Sequence, residues 1–153
     1  MKEKVDRFQR ILKTREKSRE EEQLLLADQR GEEERLVTRL DVLHTEKKKA
    51  FDEFRTQQGE LVSPREMWFH RRSIDVVDKR ICDGNSSLCD VRQAIEATEV
   101  RLVEKHREVR IMENYITSML DDWRTSILKS EQSEMDDIAG IRHGNGTRGG
   151  SGS

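Results

Sequence analysis

Residues 67–123 read MWFHRRSIDVVDKRICDGNSSLCDVRQAIEATEVRLVEKHREVRIMENYITSMLDDW. Steps of three and four taken alternately from Met67 select Met67, His70, Ile74, Val77, Ile81, Gly84, Leu88, Val91, Ile95, Thr98, Leu102, Lys105, Val109, Met112, Ile116, Met119 and Trp123. Thirteen of these seventeen are apolar. An apolar residue at every 3.5 positions is the seam of a coiled coil, and that period implies a left-handed supercoil. The same walk from Val5 selects Val5, Phe8, Leu12, Arg15, Arg19, Glu22, Leu26, Gln29, Glu33, Leu36, Leu40, Leu43, Lys47, Ala50 and Phe54, nine of fifteen apolar. Its polar members gather in the middle. Two long helices follow.

The segment between them carries stop and start signals. Gly59 suits the end of the first helix, because glycine readily takes the left-handed conformation found there. Ser63 reads as the cap of the second helix, Pro64 as its first residue and Glu66 as the far side of a capping box. Val62 and Met67 stand where a hydrophobic staple needs them. A short connection between long helices gives an antiparallel hairpin: helix 2–58, turn 59–63, helix 64–138. Pairs whose residue numbers total 121 then face each other, such as Phe54 with Met67, Leu40 with Ile81, Leu26 with Ile95, Leu12 with Val109 and Val5 with Ile116. This alignment sets Arg15 against Lys105, a like-charge neighbour. Gly84-Asn85-Ser86-Ser87 are poor helix formers, so a continuous but softened helix, fraying early near Gly84, is expected there. Six of the nine glycines fall within 140–152. Residues 139–153 therefore read as a flexible tail ending in what looks like an added linker.

Composition agrees with an all-α chain. Of 153 residues 39% are charged, 33% hydrophobic and 5% aromatic, with one proline. A globular sheet-based domain is effectively excluded. Lys and Arg number 29 against 31 Asp and Glu, with the signs interspersed, which argues against a nucleic-acid partner. No apolar run approaches the length of a membrane span, and MKEKVDRFQR lacks the apolar core of a secretory signal. Cys82 and Cys89, seven apart on one helix, are too distant to bridge and read as reduced residues. No phosphate loop, metal-ligand spacing or nucleophile–base set is present, and His44, His70, His106 and His143 are scattered. The chain reads as no enzyme, with no cofactor, metal or small-molecule substrate.

What remains is surplus apolar surface. Phe51, Phe54, Trp68 and Phe69 crowd the turn end, where Phe54 and Met67 are expected to close the hairpin. Two helices hide only one stripe each, so the others are contact candidates. Trp123, Ile127 and Leu128 continue the second seam past the start of the first helix, and read as a docking overhang.

Phe8-Gln9-Arg10-Ile11-Leu12-Lys13-Thr14-Arg15-Glu16, the Glu/Gln/Lys-rich first helix, the short turn and the aromatic start of the second helix around Trp68 resemble the flagellar export protein FliJ family. The resemblance implies a non-enzymatic, cytoplasmic component of the flagellar type III export apparatus, peripheral at the inner face of the membrane and serving flagellum biogenesis and motility. Its implied partners are the export ATPase hexamer, the cytoplasmic domain of the transmembrane export gate, and export chaperones. Carried onto this chain, the ATPase end is Val5, Phe8, Leu12, Ile116, Met119 and Trp123. The gate end is Leu40, Leu43, Phe51, Phe54, Trp68 and Ile74. Two other readings stand beside it: a generic coiled-coil spacer or self-associating scaffold, and the equivalent stalk of a virulence type III secretion system.

Overall fold

The computed structural model describes residues 2–57 and 63–148, with side chains over 2–56 and 63–144. Two helices account for almost all of them, α1 (Lys2–Gln57) and α2 (Pro64–Arg148). They pack against each other as an all-α antiparallel hairpin. Ser63 caps α2 as its type requires. Its hydroxyl oxygen accepts the Glu66 backbone N–H at 3.3 Å and its carbonyl accepts that of Met67 at 3.2 Å. Gly59 and Val62, read above as helix stop and staple, lie outside the described residues.

Packing divides the chain into two units, Met1–Lys17 with Lys105–Ser153, and Ser18–Glu104. In both, burial follows the heptads. Every fully buried residue among those described belongs to one of the two series: Leu26, Leu40, Leu43, Ile81, Leu88, Ile95, Thr98, Val109, Met112 and Ile116. All fifteen α1 positions are at least partly covered, and of the seventeen in α2 only Met67 and Trp123 are exposed.

The register differs from the one read from sequence. In the Ser18–Glu104 unit Leu40 lies over Gly84, Phe54 meets the ring of His70, Lys47 Nζ meets Asp78 Oδ1 and Glu22 meets Arg101. In the other unit Phe8 packs edge-on to Tyr115, centroids 5.1 Å apart, and Arg15 reaches the Glu108 carbonyl. These contacts centre on a total of 124, not 121. That total matches every α1 seam residue to an α2 seam residue, from Val5 with Met119 to Phe54 with His70. It leaves over only Met67 and Trp123, the two exposed members.

The physical reason for the three-residue shift is size complementarity. Matching large apolar residues across the seam favours 121, but a Leu packs best where its partner backbone lies bare. A Cβ on Gly84 would come within 2.8 Å of Leu40 Cδ2, closer than van der Waals contact permits. Gly84 is thus the floor of the cluster formed by Leu40, Leu43, Ile81 and Leu88, against which Leu36, Val37 and Val77 pack. The helix is continuous here, as expected, and the glycine lies under Leu40. What it loses in helix propensity is offset by close packing.

The polar stretch of α1 is accommodated by local bonds. Glu22 accepts from Arg101 Nε at 3.2 Å, while Arg101 Nη2 donates to Thr98 Oγ1 at 2.9 Å and Thr98 Oγ1 donates to the Ala94 carbonyl at 2.9 Å. Arg15 bonds the Glu108 carbonyl instead of confronting Lys105, whose own ammonium lies 3.9 Å from the Glu108 carboxylate. Two buried atoms, Arg19 Nε and Gln29 Oε1, have no hydrogen-bond partner among the described residues. The 124 pairing sets Gln29 opposite the apolar Ile95, which explains its orphaned oxygen. At the far end α2 runs to Arg148, past the limit at 138 read from sequence. Side chains over 121–144 are all exposed and Gly140 and Gly144 have no neighbour within reach of a Cβ. Backbone helicity there owes nothing to packing.

Two outcomes test this register. Glycine to alanine in a helix ordinarily stabilises by about 1 kcal/mol. Gly84→Ala alone should forfeit that gain through overpacking against Leu40, whereas in a Leu40→Ala background it should recover it. A double-mutant cycle by urea unfolding measures the coupling. Separately, Gln29→Leu should raise stability by about 1 kcal/mol, the cost of its unpaired oxygen, read as a higher melting temperature.

Candidate functional site

Among the described residues no three His, Cys, Asp or Glu side chains converge on a possible metal site. Cys82 and Cys89, expected from their shared helix face to be reduced core residues, are free but exposed, because neither lies on the seam. The chemistry on offer is that of surfaces, and each end of the hairpin presents one.

At the turn end, within the Ser18–Glu104 unit, the first turns of α2 lie beside the last turns of α1. Phe51, Phe54, Pro64, Met67, Trp68 and Ile74 line an open groove of about 570 Å³, edged by Arg71, Asp75 and Asp78. The groove exists because the seam runs out. Phe54 is half-buried against His70 (ring centroids 6.3 Å apart), while Met67, one turn nearer the end of α2, has no matched residue and is 44% exposed. The expectation that Met67 closes the hairpin is therefore not met. Trp68 and Phe69 stand still further out, 58% and 55% exposed, their rings edge-to-face with centroids 5.3 Å apart.

Of the residues assigned to this end by resemblance, the structure brings Phe51, Phe54, Trp68 and Ile74 together. Leu40 and Leu43 it does not. Both are 6% exposed and sit in the central cluster. A seam residue that holds α1 to α2 has no face left for a third chain.

Burial divides the set assigned to the helix-terminal end, within the other unit, in the same way. Ile116 is buried, and Val5, Phe8, Leu12 and Met119 are partly covered by the seam. Of that set only Trp123 is freely presented. Beyond it Ile127, Leu128, Met135, Ile138 and Ile141 are all exposed. Ile141 follows Trp123 by eighteen residues, five turns at 3.6 residues each, so it lies on the same face. Ile127 and Ile138 fall close beside that line. Sequence reasoning named Trp123, Ile127 and Leu128 here, ended the helix at 138 and read 139–153 as a tail. The heptad spacing itself does not reach Ile138 or Ile141, since alternate steps of three and four from Trp123 select Ser126, Ser130, Ser133, Asp137 and Gly140. Arg71 and Tyr115 were likewise missed, since neither belongs to a seam.

No helix among the described residues is long and apolar enough to cross a membrane. The structure thus defines a helical hairpin with exposed apolar side chains at the turn-proximal start of α2 and again from Trp123 onward. The family model described as Flagellar FliJ protein matches residues 3–148, nearly the whole chain, and the chain belongs to that family. It is accordingly a non-enzymatic component of the flagellar export apparatus. Neither the curated proteins nor the solved structures contain a match.

The division between seam and surface predicts contrasting mutants. Leu40→Ala should cost about 2–5 kcal/mol as a core truncation. Trp68→Ala should change stability by no more than about 0.5 kcal/mol, as for an exposed position. Thermal unfolding by circular dichroism compares them.

Proposed function

We propose that the chain is a coiled-coil stalk of the flagellar export machinery, its helix termini seated in the ring of the export ATPase and its turn end on the cytoplasmic domain of the export gate. The observation that carries this reading is the apolar stripe on α2 that outlives its partner. Trp123, Ile127, Ile138 and Ile141 lie within about 60° of one another around α2, near the face that Ile116 buries against α1 and interspersed with Ser130, Glu134 and Asp137, and all four are exposed. Apolar surface of that extent on one helix face is the mark of a protein interface, and a large aromatic at its start is a typical anchor.

The turn end supports the second contact. Its groove joins Phe51 and Phe54 of α1 to Met67, Trp68 and Ile74 of α2. A helix or extended peptide of the gate domain would find apolar walls there with charged groups at the edge. Most of the burial and edge pairing would come from Phe51, Met67, Trp68, Arg71 and Asp75, which are exposed and which the seam does not cover.

Truncation after Leu120 tests the terminal contact. It removes only residues whose described side chains are all exposed, so helicity of the remainder and its melting temperature should be retained. Stimulation of the cognate ATPase should be lost, and Trp123→Ala should reproduce a large part of that loss. A spacer with no ATPase role would leave turnover unchanged by the full chain. Undiminished stimulation by the truncated chain would exclude this end as the contact.

A further inference from the structure

Met67, Trp68 and Phe69 are consecutive, so their side chains leave α2 at successive steps of about 100°. All three are exposed. A single protein groove covers one face of a helix, whereas these three spread over about 200° of its circumference. Phe51, 41% exposed, adds a fourth large apolar side chain from α1. Surface that is apolar on several sides suits an environment that surrounds the end of the hairpin better than a partner that lies along one side.

Charge selects that environment. With Lys47 set aside because it pairs with Asp78, residues 48–72 carry six Lys and Arg against four Asp and Glu, a net charge of +2 within a chain whose net charge is −2. Arg72 lies over the Trp68 ring, 5.9 Å from its centroid. Arg65, seven residues earlier on α2, shares its face. Aromatic rings flanked by cations are the composition of an interfacial anchor. The rings sit at headgroup level, and each Lys or Arg held near an anionic surface contributes about 1 kcal/mol. With no membrane-spanning helix among the described residues, the contact would lie on the bilayer, not across it.

We propose that the first turns of α2, Trp68 and Phe69 with Arg65 and Arg72, form a peripheral anchor for an anionic lipid surface. Phe69, Arg65 and Arg72 do not line the groove assigned above to the gate, so the two contacts are separable by mutation. The inference does not depend on the gate reading.

The test uses the full chain carrying Trp123→Phe, which leaves Trp68 as its only tryptophan. It is mixed with vesicles of phosphatidylcholine alone or with phosphatidylglycerol as a third of the lipid. Co-flotation with the anionic vesicles and a blue shift of Trp68 emission are expected, with at least about tenfold weaker binding to the neutral ones and release at high salt. Phe69→Ser, and separately Arg65→Glu with Arg72→Glu, should each weaken anionic-vesicle binding at least about tenfold with helicity unchanged. Equal binding to the two vesicle types, no binding to either, or full binding by both variants would overturn the proposal. In a lipid-free assay with the purified gate domain, Phe69→Ser should bind as the parent does. A loss there without a loss on vesicles makes the face a protein contact and refutes the anchor.

Discussion

Two helices that pack only on each other bury one stripe apiece, and every other property of this chain follows from that limit. The stripe is all the core there is. Among the described residues ten are fully buried, nine of them apolar and the tenth Thr98, and these are committed to holding the hairpin closed. Apolar side chains off the stripe, or beyond the reach of α1, have no intramolecular partner. In a larger fold Trp68 or Ile127 would be absorbed by a third element. Here they are left for other molecules, and the surplus concentrates where one helix outruns the other or where the seam ends at the turn.

The same limit decides how much could be read without coordinates. Heptad position alone identified the buried set, since every residue found buried lies on one of the two series. Ser63 and Pro64 marked the start of α2 because capping is a local interaction between neighbours in sequence. Register was harder. It depends on which side chain fits which hollow across the seam, and the alignment by hydrophobic matching was displaced by three residues from the packing that puts Leu40 over Gly84. Leu40, Leu43 and Ile116, assigned to partner surfaces by resemblance, are buried in the seam for a related reason. Resemblance maps a region, whereas exposure is a property of each side chain within it.

Polar seam positions show a further trade. Glu22, Arg101 and Thr98 satisfy one another in a chain of hydrogen bonds, and buried polar groups of this kind favour one pairing over its neighbours at some expense of stability. Gln29 and Arg19 keep unpaired atoms, so the expense is incompletely offset.

The Leu40–Gly84 contact also limits how the Ser18–Glu104 unit could move internally. Coiled coils can in principle slip by one heptad, trading each seam residue for its neighbour seven positions away. Slippage one way would set Leu40 against Val77 and Gly84 against Glu33; the other way, Leu40 against Val91 and Gly84 against Lys47. Either arrangement takes Leu40 off the bare backbone of Gly84 and leaves a charged side chain over it. A signal that crossed this unit by sliding would have to lift Leu40 from Gly84, whereas bending or rotation of the pair would leave that contact in place.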